Sequence, residues 1–517
     1  MLPQILNRLR CWPGVRDNKR VKPAQLPLGS ERAKLWEVAQ LPQSEVPLMV
    51  RESAAAMKYL ELLGRLDWQH FPERGSERAW PGSTPAPHAP LVAALLVKLD
   101  KGIKSMAKLR EELVQQPALT WLLGFPLKAS SAYSWGFDVD ASLPTHRHWN
   151  RLLREMPHCQ AEFLLRSSVQ LLQREIPAYL GFGDEISLDT KHIIAWVREN
   201  NPKAYVKGGR FHKAQQPKGD PDCKVGFKAN DNQLRKAAPA EPPTPVLSAP
   251  STPTCEGIPA SQLTIDSARH ADGDYYWGYA SGVVANKIEN WGEFVLAEMT
   301  ETFDKADQNY FLPLMAQTEV NLGKQPKRGA LDAAFDWFVV HQYFAPTAQE
   351  PDRFAAVPWA DRADHKKSFD AAGLPLCAAK LSMPLKARVQ KKTHTLVPHE
   401  VGRFVCPLLF PTSTGEACPI AHKNWEQGGC ITTLPTSIGN RMRHELDRDS
   451  AEYKQLYKQR TAVERINAQA LELGIERPKL RNQRSIANQN TLIYVLINLR
   501  GVQRVQERKA ALAQLKE

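Results

Sequence analysis

The run Glu185-Ile-Ser-Leu-Asp189-Thr-Lys-His-Ile-Ile-Ala-Trp-Val197 sets a carboxylate inside an apolar, β-branched stretch. Such a stretch reads as a strand. A mid-strand aspartate between Leu188 and Ile193 needs a partner, because desolvating an unpaired charge is costly. The pattern recurs at Gly329-Ala-Leu-Asp332-Ala-Ala-Phe-Asp336-Trp-Phe-Val-Val-His341. There a short strand over Gly329–Leu331 ends directly on Asp332. Asp336 stands where a helix over residues 336–344 begins, and reads as a cap or first-turn residue. Asp189 and Asp332 are therefore the two carboxylates that the fold has to accommodate.

A third acidic residue lies in Tyr457-Lys-Gln-Arg460-Thr-Ala-Val-Glu464-Arg465-Ile-Asn467-Ala-Gln469. This stretch has no Gly or Pro and mixes good helix formers with Ala462, Val463 and Ile466, so it reads as a helix. At 3.6 residues per turn Tyr457 and Glu464 fall nearly on one line, with Arg460 about 60° away. One face then carries a phenol, a guanidinium and a carboxylate. Aspartate on a first strand, aspartate ending a later strand and glutamate on a helix together resemble the DDE transposases of bacterial insertion sequences. The spacing Tyr457-x-x-Arg460-x-x-x-Glu464 is similar to the signature of one large group of them. The runs Arg477-Pro-Lys-Leu-Arg-Asn482 and Asn490-Thr-Leu-Ile-Tyr494 are similar to the block that follows it. The lysine of the full signature, seven residues after the glutamate, is Leu471 here.

The resemblance implies an α/β chain: an RNase H-like catalytic domain with a mixed sheet over 178–515, preceded by a mainly α-helical N-terminal region. It implies that Asp189, Asp332 and Glu464 hold two divalent cations, Mg2+ or Mn2+, with Asp189 bridging them. Cutting a phosphodiester requires stabilising both an attacking and a departing oxygen. Two hard cations about 3.5–4 Å apart do this, and such ions prefer carboxylate oxygens. The implied partners are the ends of the mobile element and target DNA, bound by a homodimer assembled on DNA. Arg460 and Tyr457 are expected to contact that DNA.

The remaining sequence supports this reading in less specific ways. The 517 residues suffice for two or three domains, and the net charge of +13 suits a polyanionic partner. No signal-peptide core or membrane-length apolar run is visible, and the eight cysteines are scattered. A cytoplasmic, nucleoid-associated protein with no membrane partner is expected. Residues 1–88 form an N-terminal segment with a helical stretch near 31–66, and 89–160 a helical DNA-binding domain. In it, Ser142-Leu-Pro-Thr-His-Arg147-His-Trp-Asn-Arg151-Leu-Leu-Arg154 starts a helix at Pro and Thr and strings arginines along it, as phosphate contacts require.

Residues 208–264 are crowded with Pro, Lys and Gly, and read as a disordered insertion. A second insertion, 377–440, contains Cys406, Cys418, His422 and Cys430, a possible zinc set without a Cys-x-x-Cys pair. It also contains a basic run that includes Lys391 and Lys392, a phosphate track or a solvated face. Two other classes remain open: a non-cutting DNA-binding protein derived from a transposase, and a structure-selective nuclease on the same sheet.

Overall fold

The computed structural model describes residues 34–73, 86–229, 273–360, 366–392 and 396–515. The chain is α/β with one mixed main sheet. Its centre is β1 (Glu185–Ile194), the strand that carries Asp189. On one side β1 pairs antiparallel with the long β3 (Gly273–Ile288), which pairs antiparallel with β4 (Gly292–Thr302). β2 (Lys224–Ala229) joins the start of β3, also antiparallel. On the other side β1 runs parallel to β5 (Arg328–Leu331), and β5 parallel to β6 (Phe354–Ala356). Ile186 and Leu188 are buried on one face of the strand and Ile193 on the other, so the apolar run forms a core strand covered on both sides.

Helices cover this sheet. The N-terminal part contains α1 (Ala54–Leu63), α2 (His88–Asp100), α3 (Met106–Val114), α4 (Pro117–Leu122), α5 (His146–Glu155) and α6 (His158–Glu175), preceded by the short helices Lys34–Ala39 and Leu48–Arg51. The expected continuous helical stretch over 31–66 is broken among its described residues by a turn segment near Pro42 and by Ser53, which caps α1. α7 (Gln308–Leu322) packs on the sheet at Gly282, where any Cβ would stand 2.5 Å from the Tyr310 ring. The C-terminal α12 (Gln483–Gln514) ties the two halves together. Asn498 exchanges two 2.8 Å hydrogen bonds with the backbone of Val295 in β4 and donates to Ser168 in α6. Asn488 donates to the Leu153 and Met156 carbonyls. These amides satisfy sheet-edge and helix-end groups that burial would otherwise leave unpaired.

Both insertions differ from the sequence reading. The first does not begin at Gly208: β2 lies inside the expected disordered range, and Asp220 is buried, accepting from Tyr279 Oη at 2.7 Å. The Pro-rich remainder of that range lies outside the described residues. The second insertion carries an antiparallel sheet of β7 (Leu385–Lys391), β8 (His399–Val405) and β9 (Ile431–Pro435). Residues 376–381, whose apolar run Leu376-Cys-Ala-Ala-Lys-Leu381 reads as a strand from sequence, form a turn instead, with Lys380 N donating to the Cys377 carbonyl and Cys377 N to that of Leu381. No helix among the described residues is long and apolar enough to cross a membrane.

Candidate active site

Parallel pairing of β1 with β5 puts Leu188 opposite Leu331. One residue further, Asp189 and Asp332 stand side by side. The neighbouring backbone orients each carboxylate in the same way. Thr190 N donates to Asp189 Oδ1 at 2.8 Å, and Ala333 N donates to Asp332 Oδ1. Each Oδ2 is thereby left facing the side from which the C-terminal helices approach.

Those helices are α10 (Ala451–Tyr457) and α11 (Thr461–Glu472). The single helix expected over 457–469 is interrupted: Lys458–Arg460 form a 3-10 turn between the two. From this turn Arg460 reaches all three acids. Its Nη1 donates to Glu464 Oε1 at 2.7 Å, while Nη2 lies 3.7 Å from Asp332 Oδ2 and 3.9 Å from Asp189 Oδ2. The guanidinium is the hub on which the three carboxylates converge.

The acids differ in exposure. The Asp189 side chain is 22% exposed, against 43% for Asp332 and 52% for Glu464. Burial raises the Asp189 carboxyl to about 6; the Thr190 N–H and Arg460 oppose this, whereas Asp332 and Asp307 add to it. Asp307, just before α7, accepts from Thr190 Oγ1 at 2.8 Å and is itself raised, chiefly by burial. This half-buried neighbour was not apparent in the sequence.

A carboxyl raised on folding favours the protonated native state. Its contribution is full below the unfolded value near 3.8 and is lost as pH rises through about 6. Urea midpoints measured in EDTA should therefore fall across this window in the wild type relative to Asp189→Asn. Parallel profiles for the two proteins would show that Asp189 ionises normally.

Tyr457 lies at the rim of the site. It stacks on Tyr453 with centroids 5.9 Å apart and planes 9° from parallel, and burial raises its phenol. Three buried polar atoms on the same segment have no hydrogen-bond partner among the described residues: Gln459 Oε1, Arg460 Nε and Asn467 Oδ1. Leu471, seven residues after Glu464, is 46% exposed.

The other predicted residues lie elsewhere. Arg147, Arg151 and Arg154 project from α5, whose Trp149, Leu152 and Leu153 are buried. Glu155 lies 3.6 Å from Arg151 and 3.8 Å from Arg154. Lys391 and Lys392 are exposed at the end of β7, an outer strand of the small sheet. In the cysteine set, β8–β9 pairing sets Val405 opposite Ile431, which brings Cys406 and Cys430 to adjoining strand ends. Burial and the neighbouring Cys406 and Cys377 thiols push Cys430 up to about 12. Cys377 was not among the expected ligands; Cys418 and His422 lie on the loop between β8 and β9. Among the described residues, no group of three or more His, Cys, Asp or Glu side chains is spaced to hold a metal ion.

Asp336 is not a solvated cap. Its side chain is fully buried, with Arg443 donating Nε and Nη2 to its two oxygens at 2.9 Å each and Ala360 N donating at 3.0 Å. His341 Nε2 and Arg448 Nη2 stand 3.5 Å away. Asp336 is thus a structural ion-pair centre outside the carboxylate cluster. Neither a family model, nor a curated protein, nor a solved structure matches this chain.

Proposed function

We propose that this chain is a DDE-type transposase that cuts DNA at the ends of its element and joins the freed 3′-hydroxyls to target DNA. The observation that carries the reading is the convergence of Asp189, Asp332 and Glu464 on one guanidinium, from two adjacent strands and a helix. The strand arrangement supports an RNase H-like domain: a central aspartate-bearing strand has antiparallel neighbours on one side and a parallel pair on the other.

The three side chains offer carboxylate oxygens, the donors that hard divalent cations prefer, and they surround a positive group; as they stand, with the guanidinium among them, they are not spaced to hold an ion. By the resemblance, Asp189 would serve both ions, with Asp332 and Glu464 each serving one. Mg2+ or Mn2+ bound there supplies charge stabilisation for the attacking and departing oxygens of an in-line displacement. The chain's own contribution is to orient those oxygens. The Thr190 and Ala333 amides fix one oxygen of each aspartate, which sets the direction of the other. The α5 arginines and the basic end of β7 offer phosphate contacts that position DNA without reading its sequence. A homodimer bringing two element ends together follows from the same reading.

The test supplies the protein with Mg2+ and DNA carrying the inverted repeats that flank its own gene. Nicks that free 3′-hydroxyls at the repeat ends, followed by their joining to a second DNA, are the expected products. Cleavage without joining would point to a nuclease. Binding without cleavage would point to a DNA-binding derivative.

A further inference from the structure

We propose that Arg460 is an internal counter-ion whose release couples the two ligands of this site: divalent cations take its place among Asp189, Asp332 and Glu464, and the freed guanidinium binds a DNA phosphate. The inference rests on the metal-dependent, DNA-cutting reading above and adds to it an order of events and a linkage between ligands.

Three observations carry it. First, among the described residues the guanidinium is the one cation that these three acids share. It makes a hydrogen bond to Glu464 at 2.7 Å, but reaches Asp332 and Asp189 only at 3.7 and 3.9 Å. Those two approaches are beyond hydrogen-bond range, so they are Coulombic and confer little fixed geometry. Second, Arg460 Nε is buried and has no acceptor among the described residues. A guanidinium has five N–H donors in a rigid fork, and this one is incompletely used. A phosphate can take a bidentate fork that the present partners leave open. Third, Arg460 projects from the 3-10 turn between α10 and α11, a tighter segment with poorer hydrogen-bond geometry than the helices beside it.

Charge balance then sets the direction of the switch. Without metal, three carboxylates outweigh one guanidinium and hold it. Two divalent cations reverse the sign of the cluster, and a guanidinium within 4 Å of it is repelled towards the nearest anion. When DNA is bound, that anion is a backbone phosphate. Each ligand thus removes an obstacle to the other, and the resulting coupling must be reciprocal. The competing account makes Arg460 a helix-surface partner of Glu464, worth a few tenths of a kcal/mol and indifferent to either ligand.

Calorimetric titration of Mn2+ into the full-length protein distinguishes these accounts, with and without a saturating short blunt-ended duplex of arbitrary sequence. Without DNA, Arg460→Lys and Arg460→Ala should both bind Mn2+ several-fold more tightly than the wild type. Lysine keeps the charge but lacks the planar fork that spans the acids. The duplex should tighten Mn2+ binding in the wild type and do so far less in either variant. Melting in EDTA confirms that each variant is folded.

Wild-type Mn2+ affinity in Arg460→Lys, with tightening in Arg460→Ala alone, would reduce the residue to a background charge and overturn the proposal. Equal tightening by DNA in all three proteins would also overturn it. Absence of Mn2+ binding in every protein would instead remove the metal-dependent reading on which the proposal stands.

Discussion

Asp189→Asn, Asp332→Asn and Glu464→Gln should each abolish strand cleavage while leaving DNA affinity within a small factor of the wild type. Losing one ligand of a metal pair costs several kcal/mol of transition-state stabilisation, and about 4 kcal/mol is already a thousandfold in rate. DNA affinity rests mainly on phosphate contacts made elsewhere, which these changes leave intact. Folding is spared for a separate reason in each case. Asparagine at 189 relieves a buried charge whose carboxyl already sits near 6. Asparagine at 332 keeps the oxygen that accepts from Ala333 N. Glutamine at 464 lies on a half-exposed helix face and can still accept from Arg460. Gel assays of nicking and joining, run beside a binding assay on the same DNA, read both quantities. Near-normal cleavage by one variant would remove that residue from the site.

How much of this site was legible in the sequence depended on how local the signal was. The strand around Asp189 followed from an apolar, β-branched run and the short strand before Asp332 from an apolar one, and both are present. That the two aspartates are neighbours depends on the parallel pairing of Leu188 with Leu331, a long-range contact that no local pattern encodes. The helix reading aligned Tyr457, Arg460 and Glu464 but missed the 3-10 turn at Lys458–Arg460, because helix formers do not distinguish the two windings. β2 was lost in the Lys- and Gly-rich surroundings of the first insertion; its strand character comes from pairing with β3. α12 escaped notice because its first half is buried all round, including Asn488, Asn490 and Asn498, so no amphipathic period marks it.

The second large effect falls on Asp336, where sequence and structure lead to opposite expectations. As a solvated helix-start residue, Asp336 would tolerate asparagine with most activity retained. In the fold it is the buried anion between two cations, Arg443 and Arg448, whose guanidinium carbons also lie 4.6 and 4.9 Å from the centre of the Trp359 ring. These contacts fix α9 (Ile438–Glu445), on the chain's return from the second insertion, against α8 (Phe338–Tyr343). The approach is close enough that a Cβ on Gly439 would stand 2.2 Å from the Phe338 carbonyl oxygen. Burial alone would raise the Asp336 carboxyl; His341, the Arg443 fork and the Ala360 N–H outweigh it and hold the carboxyl well below its ordinary value. The stability this provides is present above that ordinary value and is lost only as pH falls through the lower, folded one. Removing the anion strands two largely buried guanidinium groups, a loss of about 3–5 kcal/mol when one partner of a buried pair is deleted. Asp336→Asn should therefore lower the urea midpoint sharply at neutral pH and narrow the gap to wild type in strong acid. Cleavage per folded molecule should stay near normal, because no member of the carboxylate cluster is touched. A midpoint unchanged at neutral pH would return Asp336 to the role of a capping residue and leave the seating of α9 on α8 to apolar contacts alone.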